Sequence, residues 1–417
     1  MLQLQKSLLF LSLLAAVLSS CGRSEGGQLV GALDRPKWRG INPYGMLYIP
    51  SGTLHIGAGD EDVSKQQVSR PKAISIQGFF MDETEITNNE YRQFTEWVRD
   101  SLAHEALQHY LEDEGDGSAE KQLIDWEQEI DWEESAEELQ DLYYQGNESF
   151  AGRKELDVSK MVFEMQWYDW QRAAHDRNSN RTSHIHKERV KIYPDSLAWV
   201  RDYAYSYNEP MTRNYFWHPA FDEYPVVGVN WKMAKAFCYW RTKLWNMYKD
   251  GEPTSEDFRL PTEHEWEWAS RGGRELAPYP WGAYYTRNSK GCLLANFKPG
   301  RGNYPEDGGL YTVPVDKYFP NDYGLFCMAG NVSEWTETAY FENAYSFMHD
   351  LNPDVRYDAK DEDPITAKRK VIRGGSWKDV AFFLQTGTRS WEYQDTTKCY
   401  VGFRCVLTFL GRSINDF

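Results

Sequence analysis

Three arginines near the end of the chain stand where chemistry could be done. Arg373 opens Arg373-Gly374-Gly375-Ser376-Trp377, Arg389 follows, and Arg404 lies in Gly402-Phe403-Arg404-Cys405. A guanidinium binds a carboxylate through two parallel N–H donors, so three of them beside apolar strands imply buried carboxylate partners. Two consecutive glycines let the backbone turn where a Cβ would clash. Ser376 is not framed as GxSxG and is no nucleophile elbow. His184, His186 and Glu188 have the spacing of a metal cluster, but Arg181 to Lys191 reads as a basic, exposed stretch. No HExxH, CxxC or zinc-type Cys/His spacing occurs.

The elements that must position these residues are short. Val371-Ile372 and Cys405-Val406-Leu407 read as buried strands. Met46 to Ile49 and Ser51 to Gly57 read as two strands around a glycine turn. Thr87 and Glu90 form a capping box for a helix over Asn88 to Arg99, with Tyr91, Phe94, Trp97 and Val98 on one face. A second helix runs from Trp231 to about Trp245, with an apolar stripe of Ala234, Phe237, Cys238, Trp240 and Leu244. A third is opened by Thr262 and Glu265, again as a capping box.

The 417 residues suffice for one large domain or two ordinary ones, and 15 % aromatic content argues for a packed, loop-rich globule. Residues 1–20 read as a signal peptide, with Lys6 before an apolar run too short to span a bilayer. Leu18-Ser19-Ser20-Cys21 resembles a bacterial lipobox, which makes Cys21 the lipidation site and residues 21–40 a polar tether. Removing Cys21 leaves Cys238, Cys292, Cys327, Cys399 and Cys405, an odd number in an oxidising compartment.

Residues 101–223 differ in character. Within 101–150 there are 16 Asp and Glu against one Lys, so this segment carries −15 of the chain's net −17. Residues 151–223 are mixed, and helical spacing is expected around Asp125 to Tyr144 and Ser159 to Arg172. Such acidity excludes nucleic acid as a partner. A solvated helical face explains any single carboxylate, whereas an interaction surface explains the whole segment equally well.

Six blocks resemble the formylglycine-generating sulfatase-modifying family, in that family's order. They are Ile49-Pro50-Ser51-Gly52, Asp82 to Asn88, Pro225 to Trp231, Arg259 to Glu263, Gly330-Asn331-Val332-Ser333-Glu334-Trp335, and the Arg-Gly-Gly-Ser-Trp…Gly-Phe-Arg ending. The resemblance implies an α+β fold, a formylglycine-generating-enzyme-like variant of the C-type-lectin fold, over residues 41–100 and 224–417. Residues 101–223 are then a large helical acidic insertion. More narrowly, the lipobox, the tether, Pro43-Tyr44-Gly45-Met46, the Met81 to Phe94 block and the insertion resemble the GldK/PorK lipoproteins of type IX secretion and gliding motility in Bacteroidetes. That resemblance implies an outer-membrane lipoprotein on the periplasmic face, a GldN/PorN-type partner and self-association into a ring. The insertion would carry the interface and be separable from the core.

Active members of the family hold copper with two cysteines, three and eight residues past the serine of the motif. Those positions are Asp379 and Leu384 here. A hard carboxylate and a hydrocarbon do not select Cu(I), so the resemblance implies no copper, no catalytic residue and a pseudoenzyme. It also implies calcium, a hard cation held by oxygen donors. A first set comprises Asn296, Phe297, Asp307 and Gly309. A second comprises Gly330, Val332 and Glu334, with Cys327 where the family has Asn or Asp. The alternative is that these residues cap turns. The resemblance further pairs Cys238 with Cys405 as a disulfide. Scaffold is the first functional reading. A calcium-dependent carbohydrate- or peptidoglycan-binding lipoprotein is the second, and a formylglycine-generating oxidase with unusual ligands is a distant third.

Overall fold

The structure is a computed structural model that describes residues 41–57, 69–111, 123–176, 178–202, 211–247, 256–300 and 303–411. The signal peptide, Cys21 and the tether lie outside the described residues. From Ile41 onward the chain forms one compact unit. Among the described residues no helix is long and apolar enough to cross a membrane.

The first strands are β1 (Met46–Ile49), β2 (Gly52–Ile56), β3 (Lys72–Ile76) and β4 (Phe79–Asp82). The middle of the chain adds β5 (Val162–Tyr168), β6 (Ile185–Lys191) and β7 (Phe258–Arg259). The last third contributes β8 (Ser333–Ala339), β9 (Arg369–Arg373), β10 (Ser390–Tyr393), β11 (Val401–Gly402) and β12 (Val406–Thr408). One antiparallel sheet has the order β1-β4-β12-β7 and a second, mixed sheet the order β10-β9-β8-β11. The strands at Met46 and Gly52 form as expected but do not pair with each other. β1 pairs with β4, Met46 opposite Asp82, and β2 pairs with β3. β12 enters between β4 and β7, so the end of the chain is central to the first sheet.

The first helix runs Asn88–Ala106 and has both bonds of its capping box. The Thr87 N–H donates to Glu90 Oε2 at 2.8 Å, and the Glu90 N–H donates to Thr87 Oγ1 at 3.1 Å. The second runs Trp231–Met247, and the third, Glu263–Arg271, is capped in the same reciprocal way by Thr262 and Glu265. Tyr91 of the first helix stacks on Phe237 of the second, with centroids 5.6 Å apart, and the Phe403 ring meets Phe237 edge-on. The main core therefore joins two helices to the Gly-Phe-Arg motif.

Among the described residues of 101–223, helix is confined to short pieces such as Trp170–His175 and Ala198–Asp202 and the end of the first helix, so a large helical insertion is not confirmed. The Asp125 to Tyr144 window is mostly turns, with a single 3₁₀ turn at Gln140–Leu142. The Ser159 to Arg172 window contains β5, which pairs in full register with β6. The reason is periodicity: Phe163 and Met165 are buried and Glu164 and Gln166 exposed, the alternation of a strand. The segment is also no appendage. Met161, Phe163, Met165, Val190 and Ile192 belong to the main core, and Phe163 packs edge-on against Phe94 at 5.1 Å. The Tyr91 hydroxyl donates to the Ile192 carbonyl, and Asn88 Nδ2 donates to the carbonyls of Tyr215 and Phe221. Cutting the segment out would strip the core of these side chains, so it is not separable. Its acidic side faces water: Glu127, Glu129, Glu133, Glu134, Glu137 and Glu138 are all exposed.

Candidate functional site

β9 carries Arg373 inward, and the chain then turns through Gly374 and Gly375, with φ of 91° and 68°. A Cβ on Gly375 would lie 2.8 Å from the Phe383 carbonyl oxygen, so both conformation and space require glycine. This turn sets the positions of Ser376, Trp377 and Asp379. Both the backbone N–H and the hydroxyl of Ser376 donate to Asp379 Oδ2, at 3.0 and 2.5 Å. The Asp379 carboxylate is thus committed to its own turn. Leu384 is fully buried in an apolar cluster with Tyr279, Ala295, Phe297 and Ala329. Where two thiolates would meet a metal, this chain has a turn cap and hydrocarbon. Trp377 is covered by two rings: Trp199 stacks on it, with centroids 5.9 Å apart, and Tyr311 meets it edge-on.

All three arginines grip carboxylates, as their number in the sequence implied. Arg389 holds Glu263 in a fork, with Nε and NH2 donating at 2.7 and 3.0 Å. Arg373 NH2 reaches both Glu263 and Glu267, at 3.2 and 3.1 Å, and its NH1 donates to the carbonyls of Thr386 and Thr388. Arg271 donates to Glu267 at 2.6 Å. Burial alone would raise the Glu263 pKa, but Arg389, His264 and Arg373 outweigh it and bring the carboxyl down to about 2. His264 sits beside it, almost wholly buried, with neither ring nitrogen hydrogen-bonded. Burial holds its pKa below the usual imidazole value, against the pull of Glu263 and Glu267.

Arg404 forms the second fork. Its Nε and NH2 donate to the two oxygens of Glu334, each at 2.7 Å, and Trp266 Nε1 adds a third donor. Glu85 lies nearby, fully buried, accepting from Asn331 Nδ2 at 2.6 Å and from the Val332 N–H at 3.2 Å. Burial, and then the charge of Glu334, push its carboxyl well above the usual range.

The structure places Asn296, Phe297, Asp307 and Gly309 in one loop region. Asp307 Oδ2 accepts from the Phe297 N–H at 2.7 Å, and Oδ1 from the Gly309 N–H at 3.0 Å. A Cβ on Gly309 would lie 3.0 Å from Asn296 Oδ1, which places that amide against the same loop. Both Asp307 oxygens are thus engaged by N–H donors of the loop, as the turn-capping alternative has it. The second set does not fit a hard dication. Both Glu334 oxygens serve Arg404 and Trp266, and Cys327 presents sulfur, its thiol pKa pushed well up by burial and then by Glu85. Gly330 and Val332 instead bond within the fold, through N–H donors to the Gly374 carbonyl and to Glu85. Among the described residues no three His, Cys, Asp or Glu side chains group as a metal site. His184 bonds to the Ser179 hydroxyl, His186 stacks on Trp167, and Glu188 pairs with Lys232 at 2.7 Å.

Cys238 and Cys405 do meet. Their sulfurs are 3.4 Å apart and fully buried, a contact between thiols rather than the roughly 2.05 Å of a bond. Cys292 is exposed, and Cys399 is buried with its N–H donating to Asp202.

The model of the sulfatase-modifying factor enzyme 1-like domain matches residues 35–409. The chain belongs to that family. The formylglycine-generating enzyme of Bos taurus is 26% identical over 382 residues, 90% of this chain and 78% of that protein. The inactive C-alpha-formylglycine-generating enzyme 2 of Bos taurus is 35% identical over 189 residues, 44% of this chain and 50% of that protein. The chain thus spans about half the length of this second relative. Among solved structures, PvdO from Pseudomonas aeruginosa aligns with 90% of this chain and all of its own, at 16% identity and a TM-score of 0.47. Membership in the sulfatase-modifying factor family does not itself decide activity, since one relative bears the name of an inactive protein.

Within this family frame the sequence missed three features. Glu85 sits in a motif that was legible, but only the fold shows it fully buried and beside Glu334. His264, between Glu263 and the capping-box Glu265, gave no sign that both ring nitrogens would be without a hydrogen-bond partner. A cleft lined by β5, β6 and the Trp231 helix depends on a hairpin whose first strand carries the spacing expected of a helix and whose second reads as a basic, exposed stretch.

Proposed function

We propose that this chain is a non-catalytic member of the sulfatase-modifying factor family, acting as a lipid-anchored scaffold. The observation that carries the reading is at Leu384: the second thiolate position is filled by a fully buried side chain inside an apolar cluster. Asp379, at the first, is engaged by Ser376. A metal ion there would displace packed hydrocarbon and gain no soft ligand. The finer assignment is a GldK/PorK-type component of type IX secretion and gliding motility, lipidated at Cys21 on the periplasmic face of the outer membrane and ringed with a GldN/PorN-type partner. It rests on the sequence blocks and is supported by the exposed carboxylates between Glu127 and Glu148. A row of like charge steers a basic partner and excludes unrelated acidic ones. Calcium at Asn296, Phe297, Asp307 and Gly309 belongs to the same reading, as a clamp on the loop beside the lost site.

The test has two arms. Copper-loaded protein is incubated with oxygen and a cysteine peptide of the kind the active enzymes oxidise. No aldehyde product is expected, and turnover would overturn the non-catalytic reading. Because the insertion cannot be removed without breaking the core, the scaffold arm uses point changes. Glu133, Glu134, Glu137 and Glu138 are replaced together by Gln, and the protein is purified from its native envelope. Loss of the co-purifying partner is expected, while a complex of unchanged size and composition would place the interface elsewhere.

A further inference from the structure

The first helix ends in a pair of imidazoles. His104 lies in its last turn, only 3% exposed, and His109 follows Gln108, whose φ of 58° turns the chain back. The His109 N–H donates to the His104 carbonyl at 3.0 Å, and the two Nδ1 atoms also meet at 3.0 Å. Where one Nδ1 donates the other must accept, so at least one ring is neutral. The returning chain is anchored on this pair. The Asp125 N–H donates to the His109 carbonyl, the Leu111 N–H donates to the Leu123 carbonyl, and Tyr110 bridges Ile124. Trp126 then meets His104 edge-on at 5.2 Å and stacks on Trp97 of the helix at 5.3 Å.

A first added proton leaves the contact intact, because an imidazolium donates to an imidazole. A second puts a donor on both Nδ1 atoms and two positive rings in contact. Among the described residues the charges that act on His104 are His109, Asp100 on the same helix and Asp125 on the returning chain. Both carboxylates favour protonation, but each is committed elsewhere. Asp100 accepts from Arg99 Nε at 2.8 Å, and Asp125 from the Glu127 N–H at 3.1 Å and Gln128 Nε2 at 2.8 Å. Burial, and then His109, outweigh them and hold the His104 pKa below the usual 6.5. A pKa lowered by folding makes the stabilisation complete above 6.5 and lost as pH falls below it. We infer that the His104–His109 pair is a pH-sensitive latch, which holds the start of the acidic segment on the first helix and releases it when both rings are protonated. The inference does not rest on the scaffold reading.

The full chain is followed from pH 7.5 to pH 5 by hydrogen exchange, corrected for the intrinsic pH dependence of exchange, and by the imidazole resonances in NMR. Protection of residues 107–111 and 123–126 should fall about tenfold or more, while the strand at Val371 keeps its own. The fall should coincide with the second proton uptake of the pair. His109→Gln supplies an amide that can donate or accept, so it pairs with either form of His104 and should abolish the fall. His264→Gln should leave the fall in place, which separates the latch from that other buried histidine. Unchanged protection in the unaltered protein, a fall that persists in His109→Gln, or a fall that His264→Gln abolishes would each overturn the inference. Should His109→Gln misfold, the NMR titration of the unaltered protein decides. Two rings that titrate independently, or a loss of protection that precedes the second proton, would overturn it.

Discussion

The two ends of the Arg-Gly-Gly-Ser-Trp motif have been treated oppositely. On the N-terminal side, Arg373 joins Arg389, Glu263 and Glu267 in a buried ionic network in which both carboxylates are gripped, while Arg373 Nε has no acceptor. A few residues later, Leu384 sits in hydrocarbon and Asp379 is turned back on Ser376. Buried charge is expensive to keep unless its geometry is complete. The chain pairs its charges in the part that holds two sheets and a helix together, and has no such network around Leu384. The contrast shows that the motif's framework assembles without thiols at Asp379 and Leu384, the point on which the proposed non-catalytic reading rests.

The hardest test of the contrast removes one partner of a fork. Arg404→Met leaves Glu334 buried and unpaired, and should cost about 3–5 kcal/mol in urea unfolding. A loss below about 1 kcal/mol would mean that the forks are not what holds the framework.

Acid should act on the same side of the motif. The folded Glu263 pKa of about 2 lies below the ordinary 4.5, so its stabilisation is fully present above that value and is lost as pH falls toward 2. That shift corresponds to about 3 kcal/mol. His264 has its folded pKa below 6.5, so the unfolded chain takes its proton first and stability begins to fall as pH drops below 6.5. Urea midpoints measured from pH 7 downward should therefore decline in two stages. His264→Gln should flatten the upper stage and Glu263→Gln the lower; a profile unchanged by both variants would refute this account.

The apolar side can be converted. Asp379→Cys with Leu384→Cys restores the two thiols, removes part of a packed side chain and should destabilise the fold by roughly 1–3 kcal/mol. If the framework is intact, the double variant should compete for Cu(I) with a chelator where the parent does not. Failure to bind would show that the frame has drifted as well as the ligands. The smallest effect is local: Thr262→Ala should cost about 1 kcal/mol by removing the cap of the helix that presents Glu263 and Glu267. Thermal unfolding is sufficient to detect it.

Much of this framework was legible. Both capping boxes, the three helices, and the strands at Val371 and Val406 follow from signals that lie within a few residues of each other; the arginines implied carboxylate partners, but which ones depends on contacts far apart in the chain. The reading of 101–223 failed where local signals conflict. Helical spacing among acidic residues was given more weight than the two-residue alternation of Phe163 and Met165, and tertiary packing against Phe94 decided for the strand. The pairing of β1 with β4 rather than β2 was equally hidden, because register depends on which distant strand offers its edge.

The sequence by itself determined the family, through ordered motifs, and the absence of a thiol pair at Asp379 and Leu384. Those are statements about identity at positions, and folding cannot change them. Only the tertiary structure decided that Leu384 is packed rather than exposed, that Glu334 is taken by Arg404, and that Cys238 and Cys405 touch. It also brought Gln394 to a cleft walled by a hairpin some two hundred residues earlier. Each of these depends on contacts between residues far apart in the chain, and burial and unpaired hydrogen bonds are set by the sum of such contacts rather than by any local pattern.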